Sequence, residues 1–412
     1  MSRPATSIAS LPTELLFNVA AHLTHLDRNQ DLSNLARVSR QWRPIAQEQL
    51  LKHPRFSLTH IAEYMWELGL RPHLAPHIES LEIWSKSEGR VRRDARGTSI
   101  KEYVPTPAPL RMTLRQSEMM DKCAAFIKHF ARTRRESRWW RDALLEDVVP
   151  ALFGVLLCIL PNLRALRLGK AWLKDFPIFS YLLARDSSTV QFVVPSAWKG
   201  DCFAGALTHL LPRLEVLDVP ADMVAMYFHS RTTAIFDFRD FGNLKELGIT
   251  FKALSGFGIT RHVSLNPRNM FPKSLEVLKI SEASENSTLF LGNLCQVKKE
   301  GHFPALRRVE VYHAYGIAWT RNAAQAITYP DPVDDVRLLF RDAKLELYLY
   351  FPPCILRTWE VGGTPWMLKT ESKALKRAER VCFKHVTNFY DVEHRFPRLE
   401  AEWDVDGDAV MA

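Results

Sequence analysis

Residues 10–51 read SLPTELLFNVAAHLTHLDRNQDLSNLARVSRQWRPIAQEQLL. Leu15, Val19 and Leu23 fall four apart, with Leu16 and Ala20 beside them, as one face of a helix requires. Pro12 suits the first turn, where a missing N–H is not needed. A polar break from His25 to Gln30 leads to Asp31, read as an N-cap, and then to Leu32, Leu35 and Val38 on a second helix. Ser39 can cap a third helix carrying Trp42, Ile45 and Leu50, with Pro44 held in an irregular first turn or at the true start. Three helices in so short a segment cannot bury all of these side chains among themselves, so part of the apolar stripe is expected to face another protein.

The order LPTELL, then DLSNLARVSRQW, resembles an F-box, the motif by which a substrate receptor docks on the adaptor subunit of an SCF-type (cullin-RING) ubiquitin ligase. Carried over position by position, the resemblance implies that Leu11, Pro12, Leu15, Leu16, Leu32, Leu35, Val38 and Trp42 form the adaptor-binding surface or its support. It covers residues 1–52 and implies a cullin as an indirect partner.

Outward from this segment, the 412 residues are 47% hydrophobic and 25% charged, enough for a large core. No apolar run is long enough to cross a membrane and the first ten residues lack a secretory apolar core, so the chain is expected in the cytosol or nucleus. The six cysteines are scattered without a CxxC pair, which points to buried thiols and to no disulfide framework or zinc site. His22 with His25 and His73 with His77 have ligand spacing but no further donors. Asp404, Asp406 and Asp408 fail the calcium-loop pattern at its glycine and its final glutamate. There is no nucleophile elbow or phosphate loop, and neither a cofactor nor a catalytic residue is expected.

The net charge of +9 is unevenly placed. Basic residues gather at 86–101 and at 128–141, where Arg132, Arg134, Arg135, Arg138 and Arg141 interleave with Trp139 and Trp140. That combination could grip phosphates and stack on bases, giving a rival reading as a nucleic-acid-binding protein. Set against it is a solvated helix face with the tryptophans turned inward.

An aliphatic pattern recurs downstream: HIESLEIW (77–84), LPNLRALRL (160–168), LPRLEVLDV (211–219), FGNLKELGI (241–249), FPKSLEVLKI (271–280) and FPALRRVEV (303–311). Leu214, Leu244, Leu275 and Leu306 lie 30, 31 and 31 residues apart. Short strands that each bring two or three aliphatics to a shared core, and return on the outside, stack into a curved parallel sheet. The units resemble the degenerate leucine-rich repeats found behind an F-box, notably in filamentous-fungal proteins, although the asparagine that usually ends each strand is missing. TVQFVVP (189–195) and LELYLYF (345–351) read as further strands, 57–70 as a helix, 113–132 and 138–159 as two helices, and Lys369 to Val381 as a late one.

The expected fold is therefore α/β: a three-helix F-box (1–52), an irregular leucine-rich-repeat-like solenoid (53–361) with a helical insertion near 86–159, and a C-terminal helix with an acidic tail (362–412). Alternation along each strand points Glu82, Trp84, Arg167, Asp218, Lys279, Glu310 and Tyr312 away from the aliphatic side, and their mixed character suits a polypeptide substrate rather than a phosphate backbone. The leading expectation is a non-catalytic substrate receptor of the ligase. An adaptor-bound scaffold that recruits no substrate is a further alternative.

Overall fold

The computed structural model describes residues 11–23, 28–84, 90–93, 99–102, 114–146, 148–169, 204–219, 237–251, 254, 266–283, 287–313 and 338–350. They belong to two compact units, the first holding described residues up to Val216 and the second those from Leu217 onward.

Unit 1 begins with three helices, α1 (Thr13–Ala21), α2 (Arg28–Val38) and α3 (Trp42–Lys52). Two details differ from the sequence reading. Pro12 sits one residue before α1, and its carbonyl accepts from the N–H groups of Leu15 and Leu16. Asp31 lies in the first turn of α2 instead of capping it, where its charge still faces the unbonded N–H groups of the helix start. Ser39 performs as expected, its Oγ accepting from Trp42 N–H at 3.2 Å. Pro44 falls in the first turn of α3, where no N–H is missed.

The expected helix at 57–70 is shorter. Arg55–Ser57 is a strand, β1, and α4 covers Ile61–Leu70 after a 3-10 turn at Leu58–His60. Three residues are too few for alternation to betray a strand; pairing with β2 (Ser80–Trp84) makes it one. A two-stranded antiparallel hairpin, β3 (Arg90–Arg93) with β4 (Ser99–Glu102), lies in the stretch read as polar and proline-containing. Next come α5 (Leu114–Phe130), α6 (Arg134–Glu146) and α7 (Val148–Ile159). Where the sequence reading has a single helix over 138–159, the structure has two. Pro150 divides it, because its ring would press on the carbonyl four residues back and it has no N–H to give. β5 (Ala165–Gly169) then pairs in parallel with β2, and α8 (Ala204–Leu210) comes after it.

α7 is apolar all round. Every residue from Ala151 to Cys158 is buried, and α4, α5, α6 and α8 pack against the helix. Trp140 of α6 is sealed at this contact, its Nε1 donating to Ala151 O at 3.1 Å.

β6 (Val216–Asp218) starts at the end of unit 1. In unit 2, β7 (Glu246–Thr250), β8 (Val277–Ala283), β9 (Arg308–His313) and β10 (Glu346–Tyr350) pair in that order, all parallel. The expected strand at 189–195 and late helix at 369–381 lie outside the described residues. The aliphatics that announced the strands are core: Leu163, Leu214, Leu244, Leu275 and Leu306 are all buried. Four of the parallel strand junctions are also built in the same way. The carbonyls of Glu79, Arg164, Lys245 and Glu276 each accept from two successive N–H groups at the start of the next strand.

The turn into β9 needs a residue with left-handed backbone. α9 (Ser287–Lys299) ends at Gly301, φ +82°, whose N–H donates to Lys298 O while His302 N–H donates to Val297 O, a Schellman closure. The turn into β10 repeats it. Lys344, φ +56°, donates to Arg341 O and Leu345 donates to Phe340 O. A Cβ at Gly301 would touch nothing within 4 Å, so only backbone strain opposes a side chain there. Thermal denaturation should show Gly301→Ala destabilising by about 1 kcal/mol and Lys344→Gly stabilising by up to about 1 kcal/mol.

Candidate functional site

The three N-terminal helices divide their apolar residues between two directions. Leu16 and Ala20 of α1, Leu32 of α2, and Trp42, Ile45 and Ala46 of α3 form a closed core, with Leu11, Phe17, Leu23, Leu35, Ala36 and Leu50 packed partly buried around it. One position before Leu16 and Ala20, Leu15 and Val19 point elsewhere, 47% and 43% exposed. Pro12, three residues before Leu15, is exposed with them. At the end of α2, Val38 is 69% exposed. Arg37, Arg40 and Arg43 around it are exposed too.

The eight residues picked from the sequence therefore separate. Pro12, Leu15 and Val38 offer surface, Leu11 and Leu35 lie at its margin, and Leu16, Leu32 and Trp42 hold the helices together. Val19 belongs with the surface residues and was missed as one, although its spacing of four from Leu15 placed it on that stripe. The three helices are also fastened to β1 and α4. Asn29 Nδ2 donates to Arg55 O at 2.6 Å, and the buried Tyr64 hydroxyl of α4 donates to Leu51 O at 3.0 Å. Tyr64 stacks on Phe56 and burial pushes its hydroxyl pKa up.

The strand positions expected on the far side of the aliphatic face do line up in rows. In unit 1, Arg55, Glu82 and Arg167 are neighbours across β1, β2 and β5, with Arg55 Nε 2.9 Å from Glu82 Oε1. In unit 2, Gly248, Lys279, Glu310 and Tyr348 are neighbours across β7 to β10. Lys279 Nζ lies 3.1 Å from Glu246 Oε1 and 3.8 Å from Glu310 Oε2. Arg308 Nε is 2.9 Å from Glu310 Oε1, and its guanidinium stands over the Tyr348 ring.

The expected exposure is corrected for three of these residues: Asp218, Lys279 and Glu310 are buried. Alternation fixes which way a strand side chain points, but neighbouring strands in register also bring opposite charges together, and the ion pairs of Lys279 and Glu310 withdraw those two from water. Glu82 and Arg167 are half-buried. Trp84 and Tyr312 take backbone positions at Trp84↔Gly169 and Tyr312↔Tyr350, and their side chains lie outside the described set.

The basic segment at 128–141 is resolved by α6. Trp140 is fully buried and Trp139 half-buried beneath Arg135, whose guanidinium carbon is 4.1 Å from the ring centroid. Glu136, which nothing in the sequence reading singled out, is a buried carboxylate. Its Oε1 accepts from Gly205 N–H and its Oε2 from Arg132 N–H, while its own N–H donates to Thr133 Oγ1. The signal was available as Thr-x-x-Glu, the capping-box pattern at a helix start. Gly205 is required beside it, since a Cβ there would meet Phe130 O at 2.1 Å.

Near α8, burial first and then the Arg213 and His129 charges hold the His209 imidazole below its ordinary pKa. Burial pushes the thiols of Cys123, Cys158 and Cys295 up to about 12. Among the described residues, no group of three or more His, Cys, Asp or Glu is placed to hold a metal ion, and no helix is long and apolar enough to cross a membrane.

A family model of F-box-like domains matches residues 8–57, which span α1 to β1. No curated protein matches the chain.

The buried charges have two measurable consequences. Lys279→Met leaves the buried Glu310 and the half-buried Glu246 without their shared cation, and should destabilise unit 2 by about 3 kcal/mol in denaturant unfolding, with much of the loss recovered in Lys279→Met/Glu310→Leu. His209 has its folded pKa below the ordinary 6.5, so below that pH the unfolded chain takes up a proton that the folded chain refuses. The melting temperature should therefore fall as pH drops below about 6.5, and fall less steeply in His209→Gln.

Proposed function

We propose that this protein is a substrate-recognition subunit of an SCF-type ubiquitin ligase, in which α1 to α3 dock on the adaptor and the strand-bearing remainder receives a protein substrate. The observation that carries the reading is the surplus of apolar surface on a helical trio whose own core is already closed. Leu15, Val19 and Val38 stay in water although Leu16, Leu32, Trp42 and Ile45 have filled the interior. Aliphatic side chains at such density on one small segment suit burial against a partner. The match of residues 8–57 to F-box-like domains supports an adaptor subunit as that partner, with a cullin reached through it in this proposal.

The substrate side of the proposal is an irregular leucine-rich-repeat-like array. Its support is the recurrence of a buried leucine before five of the strands and of a twice-used carbonyl at four of the strand junctions. Within the sheet rows, Glu82 and Arg167 keep part of their surface and are the substrate-facing candidates, together with Trp84 and Tyr312; the ion-paired Lys279 and Glu310 support the sheet. The chain performs no bond chemistry. It raises the effective concentration of a substrate lysine near the conjugating enzyme of the assembled ligase. Burial that pushes the thiols of Cys123, Cys158 and Cys295 up to about 12 disfavours these three as nucleophiles near neutral pH. A cytosolic or nuclear location accords with this reading.

The decisive comparison separates surface from support. Leu15→Asp/Val38→Asp should abolish co-purification of the adaptor while leaving the melting temperature nearly unchanged, since both side chains already contact water. Leu16→Ala should instead lower stability by about 2–4 kcal/mol through the cavity it leaves. Full adaptor retention by the folded double variant would reject the docking assignment.

A further inference from the structure

α6 carries two opposed stripes. Glu136, Trp140, Ala143 and Leu144 are buried, at spacings of four, three and one. On the other side, Arg134, Arg138, Arg141 and Leu145 succeed one another at four, three and four, and all are exposed, Leu145 by 58%. Arg132 and Arg135 extend the cationic surface at the start of the helix. None of the five arginines forms an ion pair among the described residues. Of the carboxylates on α6, Glu136 is turned inward to Arg132 N–H and Gly205 N–H, while Asp142 beside Arg141 is exposed and forms no ion pair with the stripe among the described residues.

We propose that this arginine stripe is a docking surface for an acidic polypeptide segment. Three features of the helix favour that occupant. First, the surface is held rigid. The Thr133 hydroxyl and the Glu136 carboxylate fix the start of α6, and Trp140 locks its middle through the bond to Ala151 O, so little ordering is required on binding. Second, guanidinium groups present planar forks that match carboxylates, and a repeat of four and three places successive forks along one line.

Third, the aromatic rings that would make the segment a base-stacking platform are withheld. Trp140 is sealed in the core and Trp139 lies under Arg135. Single-stranded nucleic acid gains much of its affinity from stacking, which this surface does not provide. Leu145, in line with the arginines, offers an apolar contact of the kind that a peptide side chain can use and a phosphate backbone cannot. The inference does not rest on the ligase reading, since none of these residues lies in α1 to α3.

The test uses the full chain and fluorescence anisotropy at low and moderate salt. One probe is a labelled peptide of about eight residues of alternating Asp and Glu with a terminal leucine, long enough in extended form to run the length of α6. The comparison probes are the same peptide with Asn and Gln in place of the acids, an oligothymidylate of equal charge, and a DNA duplex. The acidic peptide should bind and weaken with salt, the amide peptide should not bind, and Arg134→Ala/Arg138→Ala/Arg141→Ala should lower acidic-peptide affinity about tenfold or more.

A control with the same change of charge, Arg164→Ala/Arg307→Ala/Arg341→Ala, should stay within about twofold. Should the alanine triple fail to fold by circular dichroism, the same positions changed to glutamine supply the reading. Equal affinity in the folded triple variant, or no binding of the acidic peptide to the wild type at low salt, overturns the proposal. So does tighter binding of either DNA probe that the triple variant abolishes, which would assign the stripe to nucleic acid. Adaptor co-purification, measured on the same samples, reports separately on docking through α1 to α3.

Discussion

Unit 1 depends on the burial of α7. A helix with no polar side cannot face water anywhere, so α4, α5, α6 and α8 must surround it. This single requirement fixes much else. Trp140 is drawn in with its N–H satisfied on α7, which leaves the arginines of α6 on the opposite side. α4, held against the same helix, carries the Tyr64 hydroxyl that ties down the end of α3. The N-terminal helices and the basic stripe are thus both outer layers of one packed interior.

The same economy of space explains how α1 to α3 come to carry a surface. Six buried side chains exhaust the interior that three short helices can enclose. On α1, adjacent stripes share this burden unequally: Leu16 and Ala20 are inside, while Leu15 and Val19, one step round the helix, are left out. An apolar residue exposed by such a limit is an attachment point that costs the fold little and is available to a partner.

In unit 2 the interactions that organise the sheet are electrostatic as well as apolar. Val309 and Val311 are buried on one side of β9, and Glu310 between them is buried on the other, within an ionic cluster with Lys279 and Arg308. A strand buried on both faces needs its charged groups paired, because an isolated charge there would be far more costly than the strand contacts could offset. Parallel register supplies that pairing automatically when opposite charges occupy the same level on neighbouring strands.

By itself, the sequence determined the element types whose periodicity is long or repeated: α1 to α3, the recurring strands β2 and β5 to β10, and the buried leucine ahead of five of them. These arise from local patterns, since side-chain direction in a helix or strand is set by backbone geometry alone. Ser39 as a cap was legible for the same reason. Tertiary structure decided what periodicity leaves open. It chose which of two adjacent stripes on α1 is covered, turned Trp140 inward while Arg135 covered Trp139, made a strand of Arg55–Ser57, and buried Lys279 and Glu310 in mutual contact. Each of those outcomes depends on a neighbour distant in the chain, and direction along an element carries no information about what stands opposite.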